Sequence, residues 1–530
     1  MPKVAVFFLL LLIFPLLTNS YAFPGDQFTP FDNTEDSIIH NSGIIDVDSD
    51  FFLENNFKRY LIFGSNSPQT NILKNNSLYG IQADHGFFYV SVLAEKTVSN
   101  LIAQGYNVIE DSKLDFHMSD DVIFDASRIG EITGSSAVKK KYDASGNGIV
   151  IAIVDTGVDF SNLDIQHSLA RDKLNHPIML DPDGQGIVLT NATFYANISQ
   201  YDTIRNYTKP LLDNMTSSVY LTRDGAFLDI FQKGNGTTIQ VYNSLFPQFG
   251  SSVIFNGTLS NDTKIGNSPT DFIKSKSGIY HLGVMYQGGL FGKIQVVPVL
   301  VVDSITSGIY DTIIPDLSTS WQDYTNDDLD STKSNYDFDF TDETPIVLGS
   351  GNEFLVFDSN DDGKNDYSAG TFGAQVLDVY GVIKNNSIII DDSLNAINGT
   401  LLPPIDSDGN FFGVMTDFIG HGTSSAASIT SRGHESYDIY NDTKKYSIVG
   451  VAPDAKILPV KALWFGDTVY GWLWSAGFEN TEHTWKFSGK PKADIISNSW
   501  GISNFPSSNS SPGMDILSLI LSVLVTPHSL

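Results

Sequence analysis

No cysteine occurs among the 530 residues. That excludes thiol catalysis, disulfide scaffolding, zinc thiolate sites and iron–sulfur ligation. Cationic side chains are scarce, with 31 Lys and Arg against 61 Asp and Glu, a net charge of −30. A chain so anionic repels polyanions, which argues against a nucleic-acid partner. Apolar runs long enough to span a bilayer are also missing. Val4 to Leu17 and Ile516 to Val525 both fall short of the roughly 20 residues that a spanning helix needs. No repeat of fixed period stands out. What the chain does have is 41% hydrophobic and 12% aromatic residues, too many for global disorder, collagen or a coiled coil. At roughly 150 residues per domain, the length accommodates three or four domains with large cores.

The N-terminus carries Lys3, then an apolar stretch, then Ser20-Tyr21-Ala22. A positive n-region, a short apolar h-region and a small-x-small cleavage site predict a signal peptide over residues 1–22. The mature chain then begins at Phe23, is secreted or held at the cell surface, and keeps no membrane span. An exported protein without disulfides suggests a prokaryotic source or another stabiliser such as calcium. Sequons at Asn191, Asn197, Asn206, Asn214, Asn235 and Asn256 agree with an exported surface.

The texture then changes twice along the chain. Residues 23–57 read as a polar leader. Strands are predicted over 59–64, 86–93 and 108–116, with a helix over 94–104 ending at Gly105, which together make a small α+β unit. A helix is predicted over 129–142. Ile149 to Val154 is a continuous β-branched run entering Asp155, the pattern of a strand buried on both faces of a parallel sheet. Between 176 and 410, short apolar stretches alternate with Asn-Gly, Gly-Gly and Asp-Gly turns, which reads as one or two antiparallel β modules. After 410 the α/β texture returns, with a helix opening at Gly420-His421, strands over 455–462 and 493–501, and helices over 470–478 and 516–525.

Two constellations carry chemistry. Asp155, in Ile153-Val-Asp-Thr-Gly157, sits where a parallel strand ends, the edge at which open α/β sheets place ligands. A carboxylate that only caps a loop gives the same pattern. So does an aspartic protease, but that chemistry shares one proton between two aspartates, and no second such block occurs. His421 lies between two glycines at the start of a small-residue helix, in Asp417-Phe-Ile-Gly-His-Gly-Thr-Ser-Ser-Ala-Ala427. An imidazole oriented by a carboxylate is the arrangement of a general base.

These blocks resemble those of the subtilisin-like serine proteases, the subtilases. Asp155 matches that family's aspartate block and His421 its histidine block. Gly450 to Lys461 resembles the strand that follows the histidine helix, and Ile495 to Gly501 resembles the strand that pairs with extended substrate. The resemblance covers about 126–175 and 411–530, and the order of aspartate before histidine is the subtilisin order. It implies a parallel-sheet α/β catalytic domain, Asp155 and His421 as catalytic residues, and Ser499, Trp500 and Gly501 as substrate-binding residues. Polypeptides are the implied substrates. Residues 59–116 resemble more weakly the family's propeptide, an inhibitor and chaperone of the protease it precedes. The implied layout is a signal peptide over 1–22, a leader and propeptide-like domain over 23–125, catalytic segments over 126–175 and 411–530, and a β-rich insertion over 176–410. The 266-residue separation of Asp155 from His421 resembles the long insertions of the pyrolysin-like and tripeptidyl-peptidase-II-like branches.

One expected block is missing. The family's nucleophile string, Gly-Thr-Ser-x-Ala-x-Pro, and its oxyanion asparagine do not follow Ser499 before Leu530. Ser424 mimics the string but belongs to the histidine helix, and Asn498 belongs to the substrate strand. The sequence therefore reads as a protease fragment whose serine lies beyond residue 530. The alternative is an inactive secreted relative that serves as a binding or surface protein. Separately, Asp358, Asn360, Asp362, Lys364 through its carbonyl, and Asp366 place oxygens around a glycine-turned loop. That pattern suits calcium without being an EF-hand, since Ala369 stands at position 12. A solvated acidic turn fits the same residues, and Asp406-Ser-Asp-Gly409 is a weaker candidate.

Overall fold

The computed structural model describes residues within 58–502, together with Ile520. Outside it lie residues 1–57, 117–127, 209–218, 244–252, 258–272, 318–339, 358–364, 389–400, 439–444, most residues after 502, and shorter loop stretches. The predicted signal peptide falls outside the described residues, as do Asp358, Asn360, Asp362, Lys364 and Asp366, the residues of the expected calcium loop. The predicted helix over 516–525 is represented by Ile520 alone, which is buried in the main core.

The N-terminal unit is a four-stranded antiparallel sheet of order β2-β3-β1-β4. Its strands are β1 (Lys58–Gly64), β2 (Ser77–Ala83), β3 (Gly86–Leu93) and β4 (Asn107–Glu110). The helix Glu95–Ala103 buries Val98 and Leu101 against Tyr60, Ile62, Phe87 and Tyr89. Gly105, at φ 89°, takes the left-handed conformation that ends it. Successive β1 side chains point to opposite faces. Tyr60 and Ile62 therefore meet the helix, while Leu61 and Phe63 face the main core. β2 has no counterpart in the sequence reading, because Ser77 and Gly80 interrupt its apolar pattern.

The central sheet has the order Leu401–Leu402, Gln375–Leu377, β6 (Leu180–Asp181), Lys456–Lys461, β5 (Val150–Asp155), Ile495–Asn498. All neighbours are parallel except the Leu401–Leu402 edge. β5 lies between Lys456–Lys461 and Ile495–Asn498, so both its faces are covered. Ala152 and Val154 enter one buried cluster, and Ile151 and Ile153 another. This is the structural form of the continuous β-branched run.

Residues 180–181 and 375–377, inside the 176–410 span, join this parallel sheet. The rest of the described chain from 187 to 388 is almost wholly antiparallel β, and includes two six-stranded sheets. A four-stranded sheet of order Phe354–Phe357, Tyr367–Phe372, Phe411–Met415, Ile187–Leu189 carries the chain back to Asp417 and the histidine helix.

Five α-helices and one 3-10 helix, Gln166–Ser168, occur among the described residues. The single helix expected over 129–142 is two, Ile129–Ile132 and Ser135–Tyr142. Gly134, at φ 76°, breaks it. The helix expected over 470–478 runs instead from Phe465 to Ser475, and every residue of it is buried. The N-terminal unit covers one side of it and the central sheet the other, so it lacks the amphipathic stripe that marks a helix in sequence. No helix among the described residues is long and apolar enough to cross a membrane.

Candidate active site

Asp155 is the last residue of β5 and is 1% exposed. The next turn depends on Gly157, which has φ 104°; a Cβ there would overlap the Thr416 carbonyl oxygen. The chain at Met415–Thr416 can therefore pass against the Asp-Thr-Gly turn. The helix His421–Thr430 starts just beyond. A Cβ on Gly422 would overlap the Gly157 carbonyl oxygen, so only glycine lets the helix N-terminus approach this closely.

These approaches bring His421 to Asp155 across 266 residues, with His421 Nδ1 donating to Asp155 Oδ1 at 2.6 Å. Oδ1 also accepts from the Thr156 amide at 2.8 Å, and Oδ2 accepts from Ser425 Oγ at 3.3 Å. The hydrogen bond that His421 donates to Asp155 raises the imidazole pKa above its ordinary value; burial opposes this, and the charges of Asp155 and Asp417 add to it. With Nδ1 committed, Nε2 is the ring nitrogen left for proton transfer.

Ser425 was not singled out in the sequence. Its signal was position: four residues after His421 on a helix, it falls on the same face. Ser424 Oγ instead donates to the Gly420 carbonyl at 2.8 Å, a bond within its own helix. The Asn498 side-chain oxygen accepts from Trp472 Nε1 at 2.8 Å.

Ser499, Trp500 and Gly501 follow the Ile495–Asn498 strand. Trp500 Nε1 donates to the Val154 carbonyl at 3.1 Å, and its ring stacks on Trp472 at 6.1 Å. Gly501 pairs with the chain's own Asp115. Asp115 N donates to Gly501 O at 2.9 Å, and Gly501 N donates back at 3.0 Å. On the other side, Leu114 N donates to Leu463 O at 2.9 Å, and Lys113 bridges antiparallel to Trp464. Residues 113–116 thus run extended between two chain edges. Leu114 is buried in the main core, and the Phe116 ring lies 5.3 Å from the His421 ring. The Leu463–Trp464 edge is a second lip that the sequence reading did not anticipate.

Among the described residues, no group of three or more His, Asp or Glu is placed to hold a metal. Asp406 Oδ2 closes its own turn, accepting from Asn410 N at 3.1 Å and Nδ2 at 2.9 Å.

Comparison with protein families finds a match to the subtilase family, peptidase S8, over residues 146–516. Neither the curated proteins nor the solved structures contain a match.

Proposed function

The chain belongs to the subtilase family of serine peptidases, and from that premise we propose that it is a secreted endopeptidase working through an Asp-His-Ser triad. The observation that carries the reading is the 2.6 Å bond from His421 Nδ1 to Asp155 Oδ1, at the carboxyl edge of a parallel sheet. In this reading Asp155 holds the imidazole in one tautomer. His421 takes the proton of the serine hydroxyl as the hydroxyl attacks the peptide carbonyl. It then gives that proton to the leaving amine, and an acyl-enzyme remains for water to cleave. In this reading the serine comes from a nucleophile block that residues 500–530 do not contain.

The substrate is an extended polypeptide pairing with Ser499 to Gly501 on one side and Leu463–Trp464 on the other. Residues 113–116 pair with the backbone of Gly501 on one side and of Leu463–Trp464 on the other, which supports a role for the N-terminal unit as the chain's own propeptide and inhibitor. The long insertion supports a place near the pyrolysin-like and tripeptidyl-peptidase-II-like branches. Export rests on the N-terminal sequence. A structural calcium at Asp358, Asn360, Asp362, Lys364 and Asp366 rests on the oxygen spacing of that loop.

The test is hydrolysis of casein by the chain extended through its nucleophile block, with labelling by a serine-directed fluorophosphonate. Activity lost in His421→Ala and in Asp155→Asn is the expected result. Undiminished hydrolysis in His421→Ala would overturn the reading. Residues 23–530 alone are expected to leave casein intact. EDTA is expected to lower the melting temperature and calcium to restore it, with Asp358→Asn/Asp362→Asn removing the response.

A further inference from the structure

A second carboxylate stands beside the Asp155–His421 pair, and its bonds run to both halves of it. Asp417 Oδ1 accepts from Thr156 Oγ1 at 2.7 Å, from Gly420 N at 2.8 Å and from Ile419 N at 3.3 Å. Its Oδ2 accepts from Thr423 N at 2.8 Å and Thr423 Oγ1 at 2.6 Å. Thr156 is the residue after Asp155, and Thr423 lies two residues beyond His421. The link is doubled, because Thr156 Oγ1 also accepts from the Gly422 amide at 2.9 Å, and Thr423 Oγ1 accepts from the Asp159 amide at 2.9 Å.

We propose that Asp417 is a positioning residue that sets the His421 imidazole against Asp155 by bracing the first turn of the histidine helix on the Asp155 loop. This rests on the reading of that pair as the catalytic dyad. The helix opens at Gly420, which has no side chain to cap it. Its first amides need acceptors, and Asp417 supplies them from upstream to Gly420 and Thr423. A negative charge is also favoured at that helix end. A plain cap would need no contact with the β5 loop. The Thr156 hydroxyl makes that contact, so a shift of the helix relative to β5 breaks bonds on both sides of the carboxylate. The charged groups acting on the imidazole are Asp155 and Asp417. The carboxylate therefore has an electrostatic signature as well as a geometric one.

Two variants separate the roles. Asp417→Asn keeps an oxygen for Thr156 but loses the charge and the acceptor for Thr423. Thr156→Val keeps the charge and cuts the brace. In the chain extended through its nucleophile block, both are expected to lower kcat by about 10- to 100-fold with KM within about twofold, as for a group that orients a general base. The His421 titration, followed by NMR of histidine-labelled protein, should move to lower pH in both variants, because each loosens the bond to Asp155, and further in Asp417→Asn, which also loses the carboxylate charge. Thr430→Val is the control, because it removes the bond from Thr430 Oγ1 to the Ala426 carbonyl at the far end of the same helix and should leave kcat and titration unchanged. A melting temperature lowered in Asp417→Asn with kcat and the His421 titration unaltered would reduce Asp417 to a helix cap and overturn the proposal. Hydrolysis that survives His421→Ala would instead sink the catalytic reading itself.

Discussion

Both oxygens of the Asp155 carboxylate are engaged, Oδ1 by His421 and the Thr156 amide, Oδ2 by Ser425. A neutral amide at 155 can present its nitrogen to His421 and so favour the wrong imidazole tautomer. Asp155→Asn is therefore expected to reduce kcat by about 10⁴-fold, the scale seen when a triad aspartate is lost to that tautomer. Ser425→Ala removes a longer, weaker bond and should cost less than about 10-fold in kcat. The pH profile belongs to this scale too. Because Asp155 raises the His421 pKa, the imidazole becomes a neutral base only above the ordinary histidine range. The acid limb of kcat/KM is then expected above about pH 6.5. The stability linkage has the same sign: protonated His421 favours the folded state fully below its unfolded pKa, and that contribution fades as pH rises through the raised folded value. A limb at or below the ordinary histidine value would contradict the assignment of the 2.6 Å bond.

At the scale of elements, the site exists because a strand end and a helix start touch through glycine. Gly422 leaves no room for a side chain against the Gly157 carbonyl. Gly422→Ala must push the histidine helix off the β5 loop, stretching both the Thr156 and Asp155 bonds. The expected cost is about 1–3 kcal/mol of stability, the range for overpacking a tight contact, together with a fall in kcat. Thermal melting and casein assays on one preparation measure both. The Phe465–Ser475 helix shows the opposite dependence, since it is held by burial on all sides. Its first turn also takes bonds from the N-terminal unit: Gly466 N donates to Asp111 Oδ1 at 3.1 Å, and Tyr79 Oη donates to the Gly466 carbonyl.

Across the whole molecule, the contact between the N-terminal unit and the α/β domain centres on one buried guanidinium. Arg59 Nη2 meets Asp111 and Asp467, each at 2.9 Å, and all three side chains are excluded from water. Arg59 also lies over the Trp464 ring at 4.9 Å. Removing one partner leaves buried carboxylates uncompensated. Arg59→Ala is expected to cost about 3–5 kcal/mol and to loosen residues 113–116 from the groove; hydrogen exchange at the Leu114 and Asp115 amides would report it. Two carboxylates share one guanidinium, so the cluster favours an added proton. Burial, with the Asp467 charge, raises the Asp111 pKa against the pull of Arg59. A raised folded pKa means that the contribution of protonated Asp111 is complete below the ordinary carboxylate value and is lost as pH rises through the raised one. Asp111→Asn should flatten that part of the stability–pH curve, measured by denaturant unfolding. A curve as steep as that of the unsubstituted chain would place the proton elsewhere.

The local sequence alone determined the elements whose pattern is local. β5 was legible because burial on both faces demands an unbroken β-branched run. The Glu95–Ala103 helix was legible because one face and a terminal glycine mark it. Asp155 and His421 were legible because strand-end and helix-start signals surround them. Tertiary structure decided what depends on partners distant in the chain. The Phe465–Ser475 helix begins earlier than its pattern suggested because its neighbours bury it all round. The 129–142 helix is split where Gly134 turns left-handed. Residues 180–181 and 375–377 enter the parallel sheet from within a span that reads as antiparallel. Ser425, Asp417 and the Leu463–Trp464 edge acquire their contacts only when β5, the histidine helix and the N-terminal unit meet. Hydrogen bonds and burial across hundreds of residues leave no periodic trace in the chain, whereas alternation along one strand or around one helix does.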